Sequence, residues 1–63
     1  MVEITIYVNN KPVGNLNVNE IDVNFNMEKV RINGFTDMRK GVTTYYPPTA
    51  ITKMVATPIR YEI

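Results

Sequence analysis

The strict alternation of apolar and polar residues at the start of the chain is the feature that most constrains its fold. Residues 2–8, VEITIYV, carry an apolar side chain at every even position. Successive side chains of a β-strand point to opposite faces, so this spacing predicts a half-buried strand. Residues 9–12, NNKP, have the composition of a turn, and Leu16 and Val18 alternate with asparagines after it. The sequence therefore predicts a β-hairpin in its first 18 residues.

The alternation continues through the middle of the chain, but its parity changes twice. Leu16 and Val18 are even, residues 21–27 place their apolar side chains at odd positions, and Val30 and Ile32 are even again. A shift of one residue turns every side chain of a strand to the other face. The pattern predicts a bulge or bend at residues 19–20 and a turn at residues 28–29, with strands around them. The expected core is Ile4, Ile6, Val18, Val23, Phe25, Ile32 and Ile59.

The remaining residues contain further signals for turns and strands. Asn33-Gly34 is a strong hairpin signal and Lys40-Gly41 a second one, which predicts turns near both pairs. Residues 42–46 are rich in Thr and Tyr and predict a strand. Pro47-Pro48 must end it, because proline has no N–H to donate. Residues 49–56 fit either one or two helical turns or a strand, and residues 59–63 alternate as a final strand next to the first.

These elements predict a single all-β or mainly β domain over residues 1–63. The expected architecture is a small five- to six-stranded antiparallel barrel or sandwich, SH3-like or OB-like in size, with at most one short helical turn near residues 49–56. A chain of 63 residues buries a modest core, and this one has no Cys for a disulfide. Self-association would add buried surface, and a two-fold dimer is the commonest form, so we expect a homo-oligomer.

The residue types that are missing exclude most catalytic chemistry. The chain has no Ser, Cys or His, which excludes nucleophiles activated by histidine and metal sites anchored by it. Its three glycines are too dispersed to cradle a phosphate, and a chain this short leaves no room for the cleft that paired carboxylates require. We expect no enzyme activity, no cofactor and no metal. The chain shows neither a signal peptide nor a membrane span, so a cytoplasmic protein is expected.

The first functional hypothesis is a protein-interaction or structural module that binds a protein partner or itself, as small viral or phage accessory proteins do. Adjacent strand residues face opposite ways, so one of the two tyrosines before the prolines must point outward. Tyrosine is enriched at interface centres, and the prolines stiffen the segment. The predicted partner-binding residues are Arg39, Lys40, Tyr45, Tyr46, Pro47 and Pro48.

The alternative hypothesis is a small β-barrel that binds nucleic acid. Net charge is only +1, but residues 1–28 hold one base against four acids and residues 29–60 hold six bases against one acid. A basic surface with exposed aromatic rings can bind single strands by stacking and charge. The residues of this alternative face are Arg31, Phe35, Arg39, Lys40, Tyr45, Lys53 and Arg60.

Overall fold

The computed structural model describes residues 1–38 and 41–59 and contains two antiparallel sheets and one α-helix. In chain order the elements are β1 (Val2–Val8), β2 (Lys11–Val18), α1 (Val23–Asn33), β3 (Phe35–Asp37), β4 (Thr44–Tyr46) and β5 (Ile51–Pro58). The larger sheet has the order β2-β1-β5, and β3 pairs with β4 in the smaller one. The mainly β class is confirmed. The closed barrel of five to six strands is wrong, because the five described strands form two separate sheets.

The hairpin of β1 and β2 is confirmed at the position that the sequence predicts. Its two-residue turn is Asn9-Asn10, and both residues have positive φ, 53° and 62°. Two left-handed residues are typical of the type I′ turn, whose twist matches that of paired strands, and Asn adopts this conformation more readily than most residues. The register sets Ile4 opposite Leu16 and Val2 opposite Val18, so the apolar positions of the two strands share one face of the sheet.

A side chain replaces the regular ladder where β5 meets the end of β1. The register of this pair shifts between Tyr7 and Val8, which leaves Thr52 without an opposite residue. The Thr52 hydroxyl donates to the carbonyl oxygen of Tyr7 at 3.1 Å and accepts from the backbone N–H of Asn10 at 3.3 Å. Such an extra residue is a β-bulge. Its hydroxyl joins β5 to the turn of the first hairpin.

Helix α1 corrects the largest error of the sequence interpretation. The strands predicted at residues 21–27 and 30–32 are wrong, because a 3-10 turn at Glu20–Asp22 leads directly into a helix over Val23–Asn33. Val23, Met27 and Val30 follow the spacing i, i+4 and i+7, so they lie on one side of the helix and pack against the sheet. The apolar face of the larger sheet needs a cover, and this side of α1 supplies it.

The smaller sheet starts directly after the helix because Gly34 ends it. Gly34 has φ of 83°, and its N–H donates to the carbonyl oxygen of Val30 at 2.8 Å. Asn33-Gly34 therefore ends a helix and is not a hairpin turn, although both roles favour glycine at positive φ. β3 and β4 pair Phe35 with Tyr46, and their rings stack with centroids 6.5 Å apart.

The core lies between the larger sheet, α1 and this aromatic pair. Ile4 and Ile6 are fully buried, and Val30 and Phe35 join them in one cluster. Val18 and Val23 pack against the cluster, as predicted. The core positions predicted for Phe25 and Ile32 are wrong, because these side chains are 65% and 68% exposed on α1. Because residues 23–33 form a helix and not the predicted strands, both side chains point away from the sheet.

The structure decides between the helical turn and the strand that residues 49–56 both fit in sequence. A 3-10 turn occupies only Pro48–Ala50, and residues 51–58 form β5. The sequence predicts that β1 pairs with a strand over residues 59–63. β1 pairs instead with β5, which covers Ile51–Pro58. Ile59 continues this pairing, since its N–H donates to the carbonyl oxygen of Met1 at 2.9 Å. Residues 60–63 of the predicted final strand lie outside the described residues.

Candidate functional site

The predicted tyrosine and proline patch lies on β4 and the turn after it. Tyr45 is 55% exposed, while Tyr46 is half-buried against the core, as alternate strand residues require. The Tyr45 hydroxyl donates to the carbonyl oxygen of Asn33 at 2.7 Å, so this side chain also holds the end of α1. Pro47 has the extended conformation with φ of −66° and ψ of 157°, and Pro48 begins the 3-10 turn. Arg39 and Lys40 lie outside the described residues.

The residues of the alternative nucleic-acid face are dispersed over several surfaces. Phe35 is only 7% exposed, so its ring is not available for stacking with a base. Arg31 lies on α1 and Lys53 on β5, and both border one groove, while Tyr45 lies on the smaller sheet. The Lys53 ammonium stands 4.6 Å from the centroid of the Tyr7 ring. Arg60, like Arg39 and Lys40, lies outside the described residues.

A different surface carries the largest exposed apolar side chains of the helical region. Phe25 and Ile32 are seven residues apart, about two turns, so they point to the same side of α1. Ile21, in the 3-10 turn before the helix, precedes Phe25 by four residues. Their side chains are 65%, 68% and 90% exposed for Phe25, Ile32 and Ile21. We call these three residues the outer stripe of α1.

Charged residues border the outer stripe. The Lys29 ammonium lies 6.0 Å from the centroid of the Phe25 ring. Glu28 lies one turn after Phe25 and one turn before Ile32, and its carboxylate meets the Arg31 guanidinium at 3.3 Å. Both side chains of that ion pair are about 60% exposed, so it contributes only a few tenths of a kcal/mol. Glu28 and Lys29 are therefore free to exchange partners at little cost.

Helix α1 thus has apolar side chains on two opposite sides. Val23, Met27 and Val30 cover the sheet, and Phe25 and Ile32 face away from it. A surface helix normally has one apolar stripe and a polar opposite face. The sequence interpretation missed the outer stripe because it assigned all these residues to strands. The spacing of seven between Phe25 and Ile32 was the available signal.

A groove runs between α1 and the outer edge of β5. Its volume is about 290 Å³, and its walls are Met27 and Arg31 of the helix, Pro48, and residues 51–54 of the strand. Met27 and Arg31 are one turn apart, on the side of α1 that faces β5. Of the predicted site residues, the structure brings Arg31, Pro48 and Lys53 together here.

Within residues 1–38 and 41–59, no group of three acidic residues is arranged to hold a metal ion, and the helix is too short and too polar to cross a bilayer. The described structure is a small mainly β domain with one covering helix and an exposed apolar stripe. Comparison with protein-family models, curated proteins and solved structures found no match to this chain.

Proposed function

We propose that this protein is a non-enzymatic interaction module that associates with a second copy of itself through the outer stripe of α1. The observation that carries the proposal is the exposure of Phe25 and Ile32, 65% and 68% accessible on one side of α1, and of Ile21, 90% accessible in the turn before it. Large apolar side chains grouped on a surface are typical of interaction sites. Aromatic residues at the centre of such a surface contribute most to binding.

The pattern of the stripe is complementary to itself. In a two-fold pair every contact occurs twice, and two copies of one helix run antiparallel when the axis is perpendicular to them. With the axis between residues 28 and 29, Phe25 of one copy lies opposite Ile32 of the other. The same register places Glu28 and Lys29 of both copies beside the axis, where two acids and two bases balance in charge. The apolar side chains of the helix then meet apolar ones and the charges beside them sum to zero, which is the argument for a second copy as the occupant.

The small size of this surface limits the expected affinity of the dimer. The helix has 11 residues and is therefore about 16 Å long, so one helix pair buries a small area. Small interfaces are characteristic of weak or transient association. We expect a dissociation constant between about 1 μM and 1 mM, equivalent to about −8 to −4 kcal/mol.

The test is sedimentation velocity of the parent and of Phe25→Ala between about 10 μM and 1 mM, the range in which such affinities are measurable. The parent should shift from monomer toward dimer as concentration rises. Phe25→Ala should weaken the association about tenfold or more, because it removes the central aromatic side chain. Circular dichroism should show that this variant remains folded.

Val55→Ala is the matched control for this experiment. Val55 is also exposed, but it lies opposite Thr5 on the face of the sheet that points away from α1. The dissociation constant of the Val55→Ala dimer should equal that of the parent. A parent that stays monomeric at 1 mM would contradict the proposal, and so would equal losses in Phe25→Ala and Val55→Ala.

A further inference from the structure

We infer that Asn33 is a modification site, which deamidates spontaneously at a rate set by the opening of the end of α1. Asparagine is chemically labile because the backbone nitrogen that follows it can attack its side-chain amide. Asn33 precedes Gly34, and none of the other seven asparagines of the chain precedes a glycine. Glycine has no side chain to hinder the attack. Asn33-Gly34 is therefore the pair in this chain that reacts most readily once its backbone is free to rotate.

The reaction needs no reagent other than water. The Gly34 nitrogen, after it loses its proton to solvent hydroxide, forms a bond to Cγ of Asn33, and ammonia leaves as the bond between Cγ and the amide nitrogen breaks. Water then opens the resulting succinimide ring at either carbonyl, which gives aspartate or isoaspartate at position 33. The net change consumes a water molecule, releases an ammonium ion and leaves a new carboxylate on the chain.

The fold requires glycine at position 34 and therefore keeps this reactive pair. Gly34 has φ of 83°, in the left-handed region where side chains are strained. A Cβ at this position would also meet the carbonyl oxygen of Tyr46 and lie 2.8 Å from the hydroxyl oxygen of Tyr45. Any larger residue would thus separate β4 from the end of α1. The packing that demands Gly34 places an unhindered backbone nitrogen next to Asn33.

Two hydrogen bonds hold the reactive pair closed in the folded protein. The Gly34 N–H donates to the carbonyl oxygen of Val30 at 2.8 Å, so the attacking nitrogen is already engaged. The Tyr45 hydroxyl donates to the carbonyl oxygen of Asn33 at 2.7 Å and holds this residue in the last turn of the helix. The ring can form only after both residues leave this arrangement. Helix ends open at a lower free energy than the core, so this local opening controls the rate.

Deamidation would in turn loosen the end of α1. Both products carry a negative charge in the last turn of the helix, where the helix dipole disfavours an anion. Isoaspartate also lengthens the backbone at the point where α1 leads directly into β3. The contact between the Tyr45 hydroxyl and the carbonyl oxygen of residue 33 cannot keep its geometry after such a change. The modification is thus an irreversible weakening of the junction between the helix and the smaller sheet.

The experiment incubates the protein at mildly alkaline pH, below the self-association range, and locates deamidation by peptide mapping with mass spectrometry. Tyr45→Phe removes only the hydroxyl that holds Asn33, and it should raise the rate there about two- to tenfold, the effect of losing one hydrogen bond. Tyr7→Phe is the matched control, because the Tyr7 ring contacts the Lys53 ammonium on the sheet face away from α1. Its rate should equal that of the parent. In urea all three proteins should react at a common rate, at least about tenfold faster than the folded parent.

Hydrogen exchange measures the opening itself. The Gly34 amide should exchange faster than the amides of Ile4 and Ile6, which lie in the central strand and exchange when the whole sheet opens. Tyr45→Phe should accelerate exchange at Gly34 by the same factor as it accelerates deamidation, because both reactions pass through the same open state.

Several results would overturn this inference. One is a main product at an asparagine other than Asn33. Another is a folded parent that reacts as fast as the protein in urea, since the fold would then not control the rate. Equal rates in Tyr45→Phe and Tyr7→Phe would remove the role of the hydroxyl. Exchange at Gly34 no faster than at Ile4 would show that the end of α1 does not open locally. None of these results bears on the sedimentation experiment with Phe25→Ala.

Discussion

The two phenylalanines of this chain provide a matched pair that tests the fold. Phe35 is 7% exposed in the core, whereas Phe25 is 65% exposed on the outer stripe. The same substitution, Phe→Ala, should therefore have opposite consequences at the two positions. We expect Phe35→Ala to unfold most of the protein and Phe25→Ala to leave the free energy of unfolding of the monomer nearly unchanged.

The cost at Phe35 follows from its contacts. Its ring packs in the cluster of Ile4, Ile6 and Val30 and stacks on Tyr46 at a centroid distance of 6.5 Å. Truncation of a buried Phe to Ala typically costs about 3–5 kcal/mol. A domain of 63 residues has a total stability of roughly 3–9 kcal/mol. Phe35→Ala should thus remove a large part or all of the stability.

Phe25→Ala should change the free energy of unfolding only slightly, because two minor effects nearly cancel. Truncation removes the contact with Lys29, and an exposed cation–π contact is worth about 0.5–1 kcal/mol. Alanine has a higher helix propensity than phenylalanine, which returns about 0.5 kcal/mol at a position inside α1. The net change should stay below about 0.5 kcal/mol, the usual range of a surface substitution.

Urea denaturation followed by circular dichroism measures both changes, at protein concentrations below the self-association range. Phe25→Ala should unfold with the midpoint and slope of the parent, and Phe35→Ala should show little or no folded baseline. A loss of several kcal/mol in Phe25→Ala would refute the reasoning, because it would mean that residue 25 faces the core as it would in a strand. A stable Phe35→Ala would refute the described core.

Two further substitutions test local contacts, and both are measured by the same denaturation experiment. Gly14→Ala should lower the free energy of unfolding by about 1–3 kcal/mol, because the new Cβ would lie 2.6 Å from Cε2 of Phe35 and a buried ring has little room to move. The loss should be smaller in a Phe35→Leu background. No loss in the parent would mean that the Phe35 ring lies elsewhere. Thr52→Val keeps the shape of the side chain but removes both hydrogen bonds of the hydroxyl to Tyr7 and Asn10, so it should cost about 0.5–1.5 kcal/mol. A neutral Thr52→Val would show that the hydroxyl does not stabilise the bulge.

The elements predicted correctly are those whose structure is determined locally. The pairing of β1 and β2 depends on seven alternating residues and a turn of two asparagines that adopt positive φ. Both signals lie within 18 consecutive residues. The opposite directions of Tyr45 and Tyr46 likewise follow from alternation within one short strand.

The helix could not be predicted from the same pattern, because residues 21–27 satisfy two periods at once. Their odd positions alternate as in a strand, while Val23, Met27 and Val30 also have the spacing of a helix face. The requirement that decides between them is tertiary: the apolar face formed by Ile4 and Ile6 must be covered. The repeated change of parity at residues 19–20 and 28–29 was a sign against a continuous set of strands.

The outer stripe could not be predicted for a related reason. An apolar residue in an amphipathic pattern is assigned to the core by default, so the sequence pattern predicts Phe25 to be buried. Whether a large apolar side chain is exposed can be decided only when it is known which side of its helix or strand faces the core. The groove beside β5 has the same origin, since residues 27–31 and 51–54 are brought together by the packing of α1 and are distant in sequence.

The most direct test of self-association through α1 is a charge-exchange experiment at its centre. Glu28→Lys and Lys29→Glu should each weaken dimerisation, because residues 28 and 29 of both copies lie beside the axis and each variant alone brings four charges of one sign together there. In an equimolar mixture of the two variants, a mixed dimer brings two bases of one copy against two acids of the other. Sedimentation velocity should therefore detect dimer in the mixture at concentrations where each variant alone is monomeric. A mixture that stays monomeric, or single variants that dimerise as the parent does, would contradict the proposed pairing.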